Sequence, residues 1–226
     1  MREKLAYALG IIGTLLMVYN FSTVFLHLPD DALQGYIFRI IFIHVPAAIT
    51  AQVLYTVALV ASVMFLVKKD FVWDSLSVSC IEVGTMLVMV NLVTGSIWGR
   101  NQWGVWWAWD LRMTSQLMCF LLYLGYLLVR PAIGEPTARA TMSAFIAIFA
   151  YADIPLVLMA IRLPNVRTQH PGAVLETGNL APVYRGPFGI GVLAVILLAA
   201  AMVIIRMQQE SARREIDSLR REIHAL

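Results

Sequence analysis

Charge is scarce in this 226-residue sequence. Only 14% of its residues are Asp, Glu, Lys or Arg, and 60% are hydrophobic. A soluble domain carries about 25% charged and about 45–50% apolar residues. The imbalance excludes an ordinary water-soluble domain and predicts an integral membrane protein. Cysteine is nearly missing too. Cys80 and Cys119 each stand alone in an apolar run, with no C-x-x-C pair. That excludes a thiol oxidoreductase and a prosthetic group attached through the chain's own cysteines. Both read as small packing residues. Internal repeats and low-complexity tracts are also lacking.

What is present is apolar sequence in long runs. Leu5–Leu26, Ile40–Val67, Leu76–Ile97, Met113–Val129, Ala138–Ile161 and Phe188–Met207 each approach or exceed the roughly 20 apolar residues that cross a bilayer as a helix. The fold class predicted is an all-α integral membrane protein of six transmembrane helices. Residues 1–207 form one transmembrane domain. The polar tail 208–226 places Ile216, Leu219, Ile223 and Leu226 at helical spacing and predicts a short amphipathic helix. Such a tail either lies solvated or on the membrane, or docks a partner. Met1-Arg-Glu-Lys4 before the first run resembles a signal peptide, but the run is long and no small-x-small site follows. It reads as an uncleaved first helix.

The placement of Lys and Arg predicts the orientation. With the N-terminus inside, Arg2, Lys4, Lys68, Lys69, Arg130, Arg139, Arg206, Arg213, Arg214, Arg220 and Arg221 fall on inner segments. Arg39, Arg100, Arg112, Arg162, Arg167 and Arg185 fall outside. The bias puts both termini in the cytoplasm. The net charge of +3 follows from it and does not point to nucleic acid.

Five of the six tryptophans, Trp98, Trp103, Trp106, Trp107 and Trp109, fall between positions 98 and 109. This predicted second outer loop, Trp98–Arg112, also holds Gly99, Arg100, Gly104, Asp110 and Arg112. Indole faces can support a large planar ligand, glycines allow close backbone approach and arginines hold carboxylates. On a helix, Trp103, Trp106, Trp107 and Asp110 would share a face. Tryptophan also favours the membrane–water interface. On this chemistry alone, a ligand platform and an interfacial belt stand level.

Histidines shift the balance. From His44 to Val67 is 23 residues, about 35 Å of helix, against a hydrocarbon core about 30 Å thick. His44 therefore lies at the outer boundary, level with the tryptophans. His170, in the third outer loop, lies on the same side. Imidazoles on both faces of an iron porphyrin are one way of holding it. His27 is also outside, so counting histidines does not choose the pair. His224 falls in the solvated tail. Glu82 and Asp153 lie within spans, where a carboxylate is costly. Structural roles and roles along a ligand path both remain open for them. Asp153 precedes Pro155 and could serve a kinked backbone. Asn91, Thr94 and Ser96 read as helix-packing residues.

The segment from Trp98 through Trp106-Trp107-Ala-Trp109-Asp110 to Thr114 resembles the tryptophan-rich motif of the haem-handling proteins of cytochrome c biogenesis. Phe38–Ala48 around His44, and Thr168-Gln169-His170-Pro171-Gly172, are similar to the short branch of that group, the CcmC family. The longer CcmF and CcsA families carry more helices. The resemblance covers nearly the whole chain. It implies haem b held non-covalently at the outer, periplasmic face of the bacterial inner membrane, with His44 and His170 as axial ligands. Trp98, Trp103, Trp106, Trp107, Trp109 and Asp110 would form the haem platform, and Arg100 and Arg112 would meet the propionates. It implies delivery of haem to the periplasmic chaperone CcmE, with CcmA, CcmB and the small protein CcmD as partners, and a transport role rather than an enzymatic one. His27 is outside the family pattern. A haem lyase acting directly on apocytochrome shares the motif but is longer. An electron-transfer cytochrome b needs histidines mid-span, and this sequence has none. A secondary transporter would usually show inverted repeats, which are not found.

Overall fold

The computed structural model describes residues 2–160, 162, 170 and 180–224. The readings made on Arg167, Thr168, Gln169, Pro171, Gly172 and Leu226, and on the side chain of His224, fall outside the described part. Among the described residues there are no strands, only an isolated bridge between Asp31 and Gly35. The helices are α1 (Arg2–Leu26), α2 (Ile41–Lys68), α3 (Phe71–Trp103), α4 (Leu111–Val129), α5 (Pro136–Tyr151), α6 (Ile154–Met159) and α7 (Pro182–His224). Short 3-10 turns precede α2 (Tyr36–Ile40) and follow α4 (Arg130–Ala132). Six of the resulting helical stretches are long and apolar enough to cross a membrane, as predicted.

Turn chemistry sets the helix ends. Lys69 closes α2 in the left-handed conformation (φ 56°), its N–H bonded to Phe65 O at 2.8 Å. Asp70 then caps α3 by accepting from Val72 N at 2.9 Å. Two residues thus join α2 and α3, and the two helices pack along most of their length. Helix α3 begins at Phe71, earlier than the predicted Leu76. Its first turns carry serines that bond their own helix, Ser75 to Phe71 O and Ser79 to Ser75 O at 2.7 Å. At its other end α3 runs to Trp103, where Gly104 (φ 75°) stops it.

Between α5 and α6 the helix breaks. Pro155 has no N–H to give, and Ala152 and Asp153 bond to Phe149 O and Ala150 O in the tighter i−3 pattern. The Asp153 side chain makes no capping bond, and its Oδ2 is buried without a partner. Helix α7 is continuous over 43 residues, about 65 Å. The polar tail thus continues the last spanning helix without a break. Helix α1 packs chiefly on α7. Gly13 permits this contact, since a Cβ there would lie 2.9 Å from Leu198 Cγ.

A buried ion network closes the bundle end opposite the tryptophans. Arg130 donates to both Asp74 oxygens (2.8 and 2.7 Å) and to Glu210 (3.1 Å). Arg214 adds a bond to Asp74 at 3.1 Å. These ties fasten α7 to α3 and to the end of α4. Glu82 belongs to a neighbouring pair, accepting from Arg206 Nε and Nη2 at 2.5 and 2.8 Å. Both cysteines are buried in the apolar core beside Tyr55, Tyr123 and Ile81.

Candidate functional site

The tryptophan end holds a cavity of about 320 Å³ among α2, α3 and α4, within the size range of small-molecule sites. Helix α2 contributes Ile41, His44, Val45 and Ala48 to its wall, α3 contributes Asn91, Gly95, Trp98 and Trp103, and α4 contributes Arg112, Met113 and Gln116. Trp107 and His170 complete it, with Gln34 and Phe38 from the first loop and its 3-10 turn. Apolar and aromatic walls with a few polar groups suit a large, mostly apolar ligand that carries polar ends.

His44 and His170 face each other. Their ring centroids are 6.4 Å apart with 29° between the planes. Metal–imidazole bonds of about 2 Å put the centres of two rings that share one metal roughly 6 Å apart. The described residues contain no cluster of three or more His, Cys, Asp or Glu suited to a bare metal ion. A metal held here would take its remaining ligands from elsewhere, as iron does within a porphyrin.

Helix α3 positions His44. Residues 91, 94, 95 and 98 recur at i, i+3, i+4 and i+7, which is one helix face. Thr94 Oγ1 lies 3.0 Å from His44 Nδ1. Asn91 Nδ2 donates to His44 O at 3.1 Å and lies 3.2 and 3.1 Å from the two ring nitrogens. Gly95 makes room for the ring: a Cβ there would lie 3.0 Å from His44 Cε1. Asn91 and Thr94, read from sequence as packing residues, thus serve the histidine. Their spacing ahead of Trp98 was the available signal.

The tryptophans divide into two groups. Trp98 packs edge-on against Trp103 (4.9 Å between centroids, 81°) and lies 6.3 Å from the His170 ring. Its Nε1 donates to Gln34 Oε1 at 2.8 Å, and Asp31 holds Gln34 through its backbone N–H. Trp107 lines the cavity, and its Nε1 is buried without a partner. Trp106 and Trp109 do not line it and are 61% and 77% exposed. Their separation corrects the shared-face expectation. Gly104 ends the helix before Trp106, so Trp103, Trp106, Trp107 and Asp110 do not share a helix.

Two further expected site residues, Asp110 and Arg100, are placed off the cavity wall. Asp110 is not part of the cavity wall. It caps α4, its Oδ1 accepting from Met113 N at 2.8 Å, and so fixes where Arg112 enters the cavity. Arg100 is exposed and bonds the Gly104 carbonyl, which closes the end of α3 rather than facing the cavity. Arg112 does line the cavity. His27 lies exposed at the end of α1, bonded to Ser22 O, away from the site. Gln34 was missed entirely, because nothing in a loop glutamine announces a tryptophan partner 64 positions away.

The chain is similar to known proteins over most of its length. A family model described as Heme exporter protein C matches residues 1–222. The chain is 34% identical over 206 residues to Heme exporter protein C of Paracoccus denitrificans, covering 90% of this chain and 83% of that protein. It is 32% identical over 193 residues to the protein of the same name from Bradyrhizobium diazoefficiens, covering 84% and 73%. For the Escherichia coli K12 protein of that name the identity is 28% over 204 residues, covering 90% and 81%.

Proposed function

The chain belongs to the Heme exporter protein C family, and we propose that it binds haem b non-covalently and hands it on for cytochrome c maturation. Haem is cargo here, and the protein is a delivery component rather than an enzyme. The site faces the periplasm from the bacterial inner membrane, with both termini cytoplasmic. His44 and His170 supply the axial nitrogens. Trp98, Trp103 and Trp107 flank the macrocycle, and the unpartnered Trp107 Nε1 offers a donor to a propionate. Arg112 receives a propionate through a charge-assisted bond. The exposed Trp106 and Trp109 form the outer rim, where the chaperone CcmE takes the haem. CcmA, CcmB and CcmD complete the assembly, and the polar end of α7 lies on their cytoplasmic side.

The observation that carries this reading is the facing pair of imidazoles, 6.4 Å apart, inside a wall of tryptophans. The experiment is haem loading of the purified full-length protein. A bis-imidazole absorption spectrum is expected, lost in His44→Gly and in His170→Gly and restored by added imidazole. Wild-type spectra in both variants would refute the ligand pair. Co-expression with the chaperone then tests delivery: covalent haem should accumulate on CcmE with the wild-type chain and not with either variant.

A further inference from the structure

The hydrogen-bond chain behind His44 assigns a role to Thr94, and the assignment rests on the haem reading above. The Thr94 hydroxyl has a single hydrogen. Its oxygen lies 2.7 Å from Val90 O and 3.0 Å from His44 Nδ1. A backbone carbonyl can only accept, so Thr94 donates to Val90 and must accept at His44. Nδ1 therefore carries the imidazole hydrogen, and the in-plane lone pair belongs to Nε2. Asn91 does not occupy that lone pair. Its Nδ2 is nearly equidistant from both ring nitrogens, a position over the ring face. Gly95 lies against Cε1, where a Cβ would come within 3.0 Å of it.

We propose that Thr94 is the positioning residue of the cargo site: it holds His44 in the Nδ1–H form and leaves Nε2 as the nitrogen that takes the haem iron. An acceptor on the distal imidazole N–H also makes the ligating nitrogen a stronger donor, which favours ferric over ferrous iron. Asn91 fixes the ring from its face and clamps the α2 backbone, and Gly95 admits its edge. All three act from one face of α3, so the orientation of the ligand is set by a spanning helix and not by a loop.

The test compares Thr94→Val, which keeps the shape and removes the acceptor, with Thr94→Ser, which keeps the acceptor. Both are made in the full-length protein reconstituted with haem. Readouts are the haem dissociation constant and the midpoint potential by spectroelectrochemistry. Thr94→Val should weaken ferric haem by roughly tenfold or more. Its potential should rise by about 59 mV for each tenfold by which ferric binding falls further than ferrous. Thr94→Ser should remain near wild type. Thr94→Ala, which suits a helix interior, gives the same readout if the valine variant folds poorly. An unchanged potential in Thr94→Val and Thr94→Ala would overturn the assignment, and so would equal losses in the serine and valine variants. Failure of the ligand reading itself looks different: His44→Gly would keep the wild-type spectrum and potential.

Discussion

A single methyl at Gly95 should separate ligand geometry from fold stability. The Cβ of Gly95→Ala would lie 3.0 Å from His44 Cε1 and 3.6 Å from Nδ1. Carbon atoms in contact settle at about 3.5–4.0 Å. The imidazole must therefore retreat by about 0.5 Å, or α2 and α3 must part by as much. Retreat stretches the 3.0 Å bond to Thr94 and carries Nε2 with it. Metal ligands hold their distances to within about 0.2 Å, and about 0.5 Å is the tolerance of a working site. Alanine meanwhile favours the helix interior over glycine by up to about 1 kcal/mol. Haem affinity should thus fall by roughly tenfold or more, the scale of lost ligand support, while the haem-free protein melts at or above the wild-type temperature. The assay is absorbance titration with haem beside a thermal melt of the apoprotein. Gly125→Ala is the control, since a Cβ there meets nothing within 4 Å. A Gly95→Ala protein that binds haem like wild type with the same spectrum would refute the reasoning. A lowered apoprotein melting temperature would mean that the methyl strains the helix pair and not the ligand.

Three other outcomes follow from the geometry. Trp103→Ala and Trp107→Ala should reduce haem retained on purification, whereas Trp106→Ala and Trp109→Ala should retain it and lower covalent loading of the chaperone; haem content and stained haem on the chaperone distinguish them. Arg130→Met leaves Asp74 and Glu210 buried without their main counter-charge and should destabilise by about 3–5 kcal/mol in denaturant unfolding, with part recovered in Arg130→Met/Asp74→Asn. Asp110→Ala removes the α4 cap and should cost about 1 kcal/mol and lower haem affinity through Arg112. Asp110→Asn, which can still accept from Met113 N, should retain most of both in the same two assays.

The spans were legible because lipid demands long apolar runs, and hydropathy reads them directly. Their ends were not. The stretch before the predicted span at Leu76 looks like an inner loop because it ends in Asp74 and Ser75. In the fold these are helical and buried. Asp74 meets Arg130 and Arg214, Ser77 shares a bond with Ser62 at 2.8 Å, and Ser75 and Ser79 bond their own helix. Each partner but those within the helix is distant in sequence, so composition alone reads polarity as exposure. The same failure hid that the predicted tail helix continues α7 unbroken past Met207, with Glu210 and Arg214 fixed by the network at that end. Glu82 found a partner that its own sequence context does not show, Arg206, 124 positions later and 2.5 Å away.

The tryptophan segment was visible as a cluster but not as two structures. Its division depends on one backbone event, the left-handed Gly104 that stops α3 after Trp103. Before that glycine, Trp98 keeps the helical register that also carries Asn91 and Gly95, Trp103 packs edge-on against Trp98, and both line the cavity. After it the chain bends through Gly104–Trp106 and stays non-helical until Asp110 starts α4, and the rings divide: Trp107 lines the cavity, and Trp106 and Trp109 stand exposed. A cargo site needs both directions. In the proposed reading, inward rings hold the macrocycle and outward rings meet whatever removes it. Converting Gly104 to a residue that resists positive φ should therefore damage both activities at once. Gly104→Val is expected to lower haem content and chaperone loading together, whereas Gly104→Asn, which tolerates the left-handed region, should largely retain both. Loss of loading alone in Gly104→Val would mean that the cavity wall does not depend on where α3 ends.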